Sequence, residues 1–295
     1  MLLEVVHLKF AIVGGDDRSA LLCSLLFRDG HRVHSFALEK AELPGEIPKA
    51  GCLQGCVYGA DWVILPTPAE RSGLINAPYA AEGLTIEELL GAMWPGQVLC
   101  GGALSRESSL AAIRAGLCVQ DLMQRRGFTV GNAAVTAEGA IELMMRSSDR
   151  TLWRSPVLVT GWGRVAKLLA LRLRALGAEV TVAARKEADR AMAVALGLES
   201  MDIPALESAA GSFDFIANTV PERIISEAAL KSVRGGALLL ELASPPGGFD
   251  RKLAETLGLA AVAAPGLPGV CAPYTAAELI RGAIYDIIAE MEAEA

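Results

Sequence analysis

Short apolar runs alternate with stretches of helical period along the first half of the chain. Each run ends at glycine, proline or a polar residue, and a helical pattern over residues 19–28 follows the first run. This alternation predicts a parallel β-sheet with helices on both faces. The predicted strands of this first series are residues 8–13, 31–36, 62–65, 97–100 and 116–119.

A second series of the same kind begins at Pro156. Its predicted strands are residues 157–160, 179–183, 213–217, 237–241 and 259–263. Two successive series of alternating strands and helices indicate two sheets. We therefore expect an α/β protein with two Rossmann-like domains, each built on a parallel sheet.

Two helices complete the expected organisation. Thr136 or a neighbour is predicted to cap a helix that runs to Met145 and links the domains. Thr275 and Glu278 have the spacing of a capping box at the start of a long amphipathic last helix. By analogy with two-domain dehydrogenases, this helix is expected to pack back on the first domain. The predicted domains are a flavodoxin- or Rossmann-like substrate domain (1–133), a dinucleotide-binding domain with the linking helix at its start (134–273), and the final helix (274–295).

Composition narrows the class of protein. With 52% hydrophobic and 21% charged residues among 295, intrinsic disorder is excluded. The net charge of −7 argues against a nucleic-acid-binding surface. The longest uncharged run, residues 256–277, contains prolines and glycines throughout, so we expect no membrane helix. The first residues show no leader pattern, and a cytoplasmic location is expected.

The six cysteines are scattered through apolar stretches. A chain of this size needs no disulfide staples, so we expect all six to be buried thiols. Cys52 and Cys56 are the only close pair, and their spacing does not match a zinc motif. No metal site is therefore expected.

A glycine motif follows the first strand of the second series. Residues 161–166 read Gly-Trp-Gly-Arg-Val-Ala, and a helical stretch follows. In dinucleotide-binding proteins the first glycine permits a tight turn, the second admits a pyrophosphate, and the third small residue lets helix and strand pack closely. The phosphates then bind at the helix N-terminus. The motif predicts a dinucleotide site, and a purely structural glycine turn is the alternative.

The end of the next strand, residues 179–183, bears on which dinucleotide binds. NAD sites place Asp or Glu there to accept hydrogen bonds from the ribose 2′-hydroxyl. This chain has Arg185 and Lys186 instead, and such cations attract a 2′-phosphate. We therefore predict NADP as the cofactor. The alternative is that both are ordinary solvated surface charges.

Further strand ends are expected beside the nicotinamide, because ligands of such sheets bind beyond the carboxyl ends of the strands. Asn218 and Ser244 place polar groups on otherwise apolar turns, and Asn218 has the alternative role of turning the chain. Pro265 belongs to a rigid stretch rich in proline and glycine. The candidate cofactor residues are Gly161, Trp162, Gly163, Arg164, Val165, Arg185, Lys186, Asn218, Thr219, Val220, Ala243, Ser244 and Pro265.

Several motifs match those of one family, in the right order. They are Gly14-Gly15-Asp16-x-Arg18, Ile64-Leu65-Pro66, Thr136-x-Glu138-Gly139, Gly161-x-Gly163-Arg164, Ala184-Arg185, Asn218-Thr219-x-Pro221, Leu242-Ala243-Ser244-x-Pro246-Gly247-Gly248, Ala264-Pro265-Gly266-Leu267-Pro268-Gly269 and Ala272-Pro273-x-Thr275-Ala276. With them the chain resembles the A subunits of dipicolinate synthases over nearly its whole length. Val135 and Pro245 depart from the pattern, standing where proline and arginine are expected. The second departure weakens the case for anion binding at that turn.

The resemblance implies oxidation of dihydrodipicolinate to dipicolinate (pyridine-2,6-dicarboxylate) by hydride transfer to NADP+. It places the chain in the cytoplasm of the mother cell of a sporulating bacterium, where its partner is a flavoprotein-like B subunit. A homo-oligomer is expected, and nucleic acid and membrane are not expected as partners. Two other classes stay open: an NADP-binding protein that regulates or scaffolds a two-subunit synthase, and an oxidoreductase that acts on another imine or 2-oxo acid.

A dicarboxylate substrate requires local cations, since the protein as a whole is acidic. Arg18, beyond the first strand, is the candidate on the substrate side, and Asp16 beside it is a second candidate substrate residue. Arg164, at the cofactor helix, is the other cation. An ion pair of Arg18 with Asp16 or Asp17 is the alternative.

Hydrogen-bond donors and a proton acceptor complete the candidate site. Thr67 and Thr136 are candidate donors to a substrate carboxylate. Glu138 is the candidate base or orienting group, and Thr136 is the second candidate catalytic residue. The alternative for Glu138 is a first-turn helix carboxylate that the helix dipole favours.

Overall fold

The computed structural model describes residues 7–294. Within them the chain forms two compact units. One unit contains the residues up to Asn132 together with those from Ala272 onward, and the other contains residues 133–271. The first unit is therefore built from two separate stretches of chain, and the second from one.

The elements follow one another in chain order. The chain begins with β1 (Lys9–Val13), α1 (Asp17–Arg28), β2 (Arg32–Phe36), α2 (Leu53–Val57), β3 (Trp62–Ile64), β4 (Glu70–Arg71), β5 (Leu74–Ile75), α3 (Ile86–Ala92), β6 (Val98–Gly101), α4 (Arg106–Arg114), β7 (Cys118–Asp121) and α5 (Arg126–Arg146). It continues with β8 (Pro156–Thr160), α6 (Arg164–Ala175), β9 (Glu179–Ala183), α7 (Glu187–Ala195), β10 (Glu199–Met201), α8 (Leu206–Ala209), β11 (Phe215–Asn218), α9 (Glu227–Ser232), β12 (Leu238–Glu241), α10 (Arg251–Thr256), β13 (Ala260–Ala263), α11 (Leu267–Cys271) and α12 (Pro273–Glu294). Short 3-10 helices occupy Leu122–Gln124 and Ala210–Ser212.

Each unit contains one large sheet, and both sheets are parallel. The first has the strand order β2-β1-β3-β6-β7 and the second the order β10-β9-β8-β11-β12-β13. The second order is that of the dinucleotide-binding Rossmann sheet, and the first is flavodoxin-like. The predicted α/β class with two Rossmann-like domains is confirmed. In each sheet the carboxyl ends of all strands lie at one edge, where ligands of such folds bind.

Both sheets are buried on two faces, which explains their continuously apolar strands. In β8, Val157 and Val159 belong to one core cluster and Leu158 to another. In β1, Phe10 and Ala11 are divided in the same way. Successive side chains of a strand point to opposite faces, so each unit has a core layer on either side of its sheet.

Helix α12 packs on α1 of the first unit, as predicted. Ile280, Ile284 and Ile287 are buried in the same cluster as Leu22 and Leu26 of α1. Complete burial of a side chain of this size stabilises the fold by roughly 1.5–3 kcal/mol. The apolar face of α12 therefore fixes the last segment of the chain to the first unit.

The start of α12 differs from the prediction. The helix begins at Pro273, so Thr275 is already helical and the predicted capping box with Glu278 is wrong. Proline suits the first helical position, because its missing N–H needs no partner there. The Thr-x-x-Glu spacing here lies inside the first turns of the helix.

Helix α5 begins at Arg126, well before the predicted cap at Thr136. Thr136 lies inside the helix, so the cap prediction is wrong. Gly127 and Gly131 weaken the helical signal of this segment. At Gly131 a Cβ atom would lie 2.6 Å from Leu279 Cδ2 of α12, so any larger residue there would force the Leu279 side chain to move.

Three short strands were not predicted from the sequence pattern. Strands β4 and β5 form an antiparallel hairpin whose turn holds Ser72 at φ +53° and Gly73 at φ +79°. Strand β10 pairs with β9 at the edge of the second sheet. Segments of two or three residues are too short to show a period.

None of the described helices is long and apolar enough to cross a membrane. The uncharged run 256–277 is divided among the end of α10, strand β13, helix α11 and the start of α12. Gly258, Pro265, Gly266 and Pro273 lie at the boundaries between these elements, whereas Pro268 and Gly269 lie inside α11.

The cysteines are less uniformly buried than predicted. Cys23, Cys56 and Cys100 are buried, but Cys52 is exposed. It caps α2, where its Sγ accepts a hydrogen bond from the Gly55 N–H at 3.4 Å. Burial raises the pKa of the Cys56 thiol to about 12, which makes this group a poor metal ligand. Among the described residues there is no group of three or more metal-ligating side chains.

A buried histidine links α1, β1 and α12. His31 Nδ1 accepts the Leu8 N–H at 3.3 Å, and the other ring nitrogen lies 3.0 Å from the Tyr285 hydroxyl. Tyr285 in turn donates to Asp29 at 2.5 Å. Because a backbone N–H can only donate, His31 Nδ1 carries no proton here, and Nε2 donates to Tyr285. Burial lowers the pKa of His31 below its ordinary value, more than the charge of Asp29 raises it.

This arrangement predicts a loss of stability in mild acid. A lowered pKa in the folded state means that the unfolded chain takes up the proton first, so stability falls as pH drops below the ordinary histidine pKa of about 6.5. His34, whose pKa burial also lowers, acts in the same direction. We expect the free energy of unfolding, measured in urea from about pH 7.5 to about pH 5.5, to fall less steeply in His31→Asn than in the wild type. Equal slopes for the two proteins would contradict this role of His31.

Candidate functional site

The loop after β8 has the geometry that the glycine motif predicts. Gly161 has φ +93°, and a Cβ atom there would lie 2.7 Å from Thr219 Oγ1 and 2.8 Å from Val220 Cγ2. Its N–H donates to the Ala183 carbonyl at 2.8 Å. Thr219 Oγ1 donates to the Thr160 carbonyl at 2.6 Å. Only glycine fits here, because the turn after β11 lies directly against it.

The N-terminus of α6 is open to a ligand. Its cap residue is Gly163, which offers no side-chain cap, and apart from its chain neighbours no atom lies within 4 Å of where a Cβ would stand. No side chain therefore caps the N–H groups of the first turn, and these groups together with the helix dipole suit a pyrophosphate. Arg164 is exposed and Val165 half-buried at the start of the helix. Trp162 is buried, with Lys167 Nζ 5.6 Å from its ring centre.

Three cationic residues lie at the end of β9. Arg185 and Lys186 are exposed, and neither forms an ion pair with any residue of the described range 7–294. Arg190, on α7, donates from Nη1 to the carbonyls of Ala184 and Arg185, both at 2.9 Å. The sequence prediction missed Arg190. Its position four residues after Lys186, on the same face of the helix, is the signal that identifies it.

Asn218 does not point toward a ligand. It is fully buried, and its Oδ1 accepts from Thr160 Oγ1 at 2.6 Å and from the Val220 N–H at 3.2 Å. Its Nδ2 donates to the Val220 carbonyl at 2.9 Å and to Glu241 Oε1 at 2.6 Å. A side-chain amide has two donors and two acceptor sites. All are used, so the side chain has the alternative role of turning the chain and presents no free group to a cofactor.

Glu241 is a buried acid at this edge of the sheet that the sequence prediction did not include. It ends β12, is only 6% exposed, and accepts N–H bonds from Ala243 at 3.0 Å and Gly248 at 2.7 Å. A carboxylate at the end of an otherwise apolar strand, followed by a glycine pair, is the signal that could have found it. Buried acids of this kind are retained when they are fully hydrogen-bonded.

The remaining cofactor candidates lie on the turns after β12 and β13. Ala243 is half-buried, whereas Ser244 and Pro265 are exposed. The Ser244 carbonyl accepts the Gly247 N–H at 3.1 Å, which closes the turn around Pro245. These residues therefore follow neighbouring strands at the same carboxyl edge as the glycine loop.

In the first unit, Arg18 forms an ion pair with Asp16. Its Nε and Nη2 donate to the two Asp16 oxygens at 2.9 and 2.8 Å, and Arg18 is only 6% exposed. Asp16 also caps α1 by accepting the Arg18 N–H. Burial acts to raise the pKa of Asp16, but the hydrogen bonds and charge of Arg18 outweigh it and hold that pKa below its ordinary value. The structure thus shows the ion pair that was the alternative, and a substrate contact of either residue stays a prediction.

Thr67 has a different environment. It follows β3 at the carboxyl edge of the first sheet and is 8% exposed. Its Oγ1 is buried, and among residues 7–294 it has no hydrogen-bond partner. A Cβ atom at Gly102, after β6, would lie 2.3 Å from this oxygen. A buried hydroxyl without a partner is rare in folded proteins and calls for an explanation.

Glu138 lies away from the glycine loop. Its exposed carboxylate accepts from Arg172 Nη2 at 3.3 Å. Arg172 lies eight residues beyond Arg164, or about 12 Å along α6 at a rise of about 1.5 Å per residue. Glu138 and Thr136 both lie inside α5, so Glu138 is no first-turn carboxylate either. The geometry therefore supports a surface ion pair for Glu138 and gives no support to a role in proton transfer.

Comparison with known proteins points to a family. Residues 9–123 match the family model of the N-terminal domain of the dipicolinate synthase A subunit. The chain is 30% identical over 291 residues to the A subunit of dipicolinate synthase from Bacillus subtilis (strain 168). That alignment covers 97% of this chain and 98% of the Bacillus subtilis protein.

Solved structures agree with this assignment. The A subunit of dipicolinate synthase from Bacillus halodurans has a TM-score of 0.85 at 26% identity, covering 95% of this chain and 97% of that one. Its counterpart from Bacillus subtilis has a TM-score of 0.83 at 29% identity, covering 99% of each chain. The transhydrogenase from Sinorhizobium meliloti shares the fold, with a TM-score of 0.68 at 16% identity over 95% and 94% of the two chains. The chain belongs to the family of dipicolinate synthase A subunits.

Proposed function

We propose that the chain oxidises dihydrodipicolinate to dipicolinate by hydride transfer to NADP+. The observation that carries the proposal is the glycine loop of the second unit, where Gly163 leaves the N-terminus of α6 without a side-chain cap and so favours a pyrophosphate there. The choice of substrate is supported by the membership of the chain in the family of dipicolinate synthase A subunits. The substrate loses a hydride to the nicotinamide ring and a proton to solvent. One NADP+ is therefore reduced for each ring that becomes aromatic.

The second unit's own residues perform the binding. When bound, NADP+ supplies the hydride acceptor. The first N–H groups of α6 stabilise its pyrophosphate. Arg185, Lys186 and Arg190 provide positive charge at the end of β9, where a 2′-phosphate binds in related folds. Strand β9 ends at Ala183, and residues 184–186, directly after it, include no carboxylate to accept the 2′-hydroxyl of NAD.

Thr67 is our proposed contact to a substrate carboxylate. Leaving a buried hydroxyl without a partner costs about 1–3 kcal/mol. A carboxylate oxygen that accepts its hydrogen removes this cost, so substrate binding accounts for the absence of a partner. Arg164, exposed at the first turn of α6, is proposed to add positive charge for the phosphates of the dinucleotide.

The proposed chemistry needs little acid–base assistance. The product gains aromatic stabilisation, so the protein contributes mainly by positioning the two reactants. Glu138 is not retained as the proton acceptor, because Arg172 already engages its carboxylate. Thr136 lies inside α5, and we propose no direct role in the reaction for it.

We also propose that the chain acts with a second protein. The Bacillus subtilis relative is named as one lettered subunit of a synthase, so a B subunit, flavoprotein-like in the family, is the expected partner of this chain. The proposed setting is the cytoplasm of the mother cell of a sporulating bacterium, and the proposed assembly includes a homo-oligomer of this chain.

The proposed activity is tested with the purified full-length chain. It is incubated with enzymatically generated dihydrodipicolinate and NADP+, with and without the B subunit, and the absorbance of NADPH and dipicolinate is followed. Equal amounts of the two products support the proposal. Activity that requires the B subunit supports a shared site. If the chain binds NADP+ but is inactive under both conditions, dihydrodipicolinate is refuted as its substrate. Another imine or a 2-oxo acid is then favoured as the substrate.

Replacement of Arg185 tests the choice of dinucleotide. In Arg185→Asp a carboxylate faces the 2′-phosphate, so the affinity for NADP+, measured by calorimetry, is expected to fall about 10- to 100-fold. The affinity for NAD+ is expected to stay within about threefold. The control is Arg106→Asp, an exposed arginine on α4 of the first unit, which leaves both affinities unchanged. An equal change in both affinities of Arg185→Asp would exclude NADP selectivity at this position.

Replacement of Thr67 tests the proposed substrate contact. Thr67→Val keeps the shape but removes the unpartnered hydroxyl, so we expect a higher melting temperature together with a KM for dihydrodipicolinate raised about tenfold. The affinity for NADP+ is expected to stay unchanged.

The matched control is Thr129→Val. Thr129 is similarly buried, at 6% exposed, but its hydroxyl donates to the Arg126 carbonyl at 3.0 Å. Its replacement is expected to lower the melting temperature and leave KM unchanged. A wild-type KM in Thr67→Val would remove Thr67 from the substrate site.

A further inference from the structure

Three polar residues form a row across neighbouring buried strands. Thr160, Asn218 and Glu241 end β8, β11 and β12, and the sheet register pairs Asn218 with each of the other two. Thr160 and Asn218 are 0% exposed. The hydrogen bonds between neighbours in the row are both 2.6 Å long. The row lies at the carboxyl edge of the sheet, directly below the proposed dinucleotide site.

Glu241 connects this row to the turn of residues 242–248. Oε1 accepts from the Ala243 N–H as well as from Asn218, and Oε2 accepts from the Gly248 N–H. One carboxylate therefore holds the beginning and the end of the turn. The Gly248 carbonyl in turn accepts the N–H groups of Ile224 and Ile225 at 3.1 and 2.9 Å.

The glycines of that turn are fitted to the same two side chains. A Cβ atom at Gly247 would lie 2.7 Å from Glu241 Oε2, and one at Gly248 would lie 2.3 Å from Asn218 Cγ. The backbone of the turn therefore lies directly on the carboxylate and the amide. A small displacement of Glu241 has to move the turn with it.

The row also reaches the glycine loop. Asn218 holds Val220 through both its N–H and its carbonyl, and Val220 lies against Gly161. Three loops that surround the proposed nicotinamide position thus share one hydrogen-bonded network. Fully satisfied buried networks of this kind rigidify the groups they join.

We propose that Glu241 is a positioning residue that fixes the turns around the nicotinamide half of the bound dinucleotide. The inference rests on the proposed function, since it needs a dinucleotide at this edge. Glu241 does not itself touch the cofactor, because its carboxylate is buried beneath the turn. It determines the affinity of the chain for the nicotinamide end of the dinucleotide. Binding of the adenosine end, at β9, does not depend on it.

The variant Glu241→Gln tests this role with almost no change of shape. All three partners of the carboxylate are N–H donors. A glutamine amide presents its own N–H₂ to at least one of them, whichever way it is turned. One donor therefore faces another donor, and the turn has to move.

The matched control is Asp214→Asn. Asp214 is equally buried, at 6% exposed, and belongs to the same unit, but it precedes β11 at the opposite end of the strand and pairs with Arg150 and Arg234. It controls for the general effect of neutralising a buried acid in this unit.

The measurements are dissociation constants of the full-length chain for NADP+ and for adenosine 2′,5′-bisphosphate, which lacks the nicotinamide. Glu241→Gln is expected to weaken NADP+ binding about tenfold and to leave the bisphosphate unchanged within about twofold, while Asp214→Asn changes neither. Equal weakening of both ligands, or of neither, would refute the positioning role while the wild type still binds NADP+. A wild-type chain that binds neither ligand would refute the proposed function and this inference with it.

Discussion

The carboxyl edge of the second sheet depends on one buried chain of hydrogen bonds. It runs from Thr160 through Asn218 to Glu241 and on to the backbone of the turn at Gly248. Left unpaired, each of these buried polar groups would cost the fold free energy. Because every donor and acceptor of the Asn218 amide is engaged, the strand ends and their turns have one arrangement. The tight approach of Val220 to Gly161 in the glycine loop follows from it.

The two units use related sheets in different ways. At the second sheet the cap residue of α6 is Gly163, which offers no side-chain cap. At the first sheet the cap residue of α1 is Asp16, whose side chain accepts the Arg18 N–H. This difference supports the proposal that the second unit binds the dinucleotide and that the first unit contributes to substrate binding.

Short sequence motifs predicted those parts of the candidate site whose residues are neighbours in the sequence. The glycine motif at residues 161–166, and the cations after β9, are contiguous and follow from turn geometry and charge. The partners of Asn218 and Glu241 are distant in sequence and depend on strand register, which no single segment encodes. For Arg18 the structure shows the alternative that the sequence left open, an ion pair with Asp16 two residues away. The start of α5 was predicted too late because Gly131 weakens the helical pattern. This glycine allows α5 to approach Leu279 of α12 closely.

The central claim is that hydrogen passes directly from the substrate to a dinucleotide held by this chain. The most direct test uses dihydrodipicolinate with deuterium at its saturated ring carbons, NADP+ and the full-length chain, with the B subunit present. The nicotinamide product is examined by mass spectrometry and NMR. We expect one NADPH with one deuterium at C4 of its nicotinamide ring for each dipicolinate formed. Dipicolinate formed with unlabelled NADPH, or without reduction of NADP+, would contradict it.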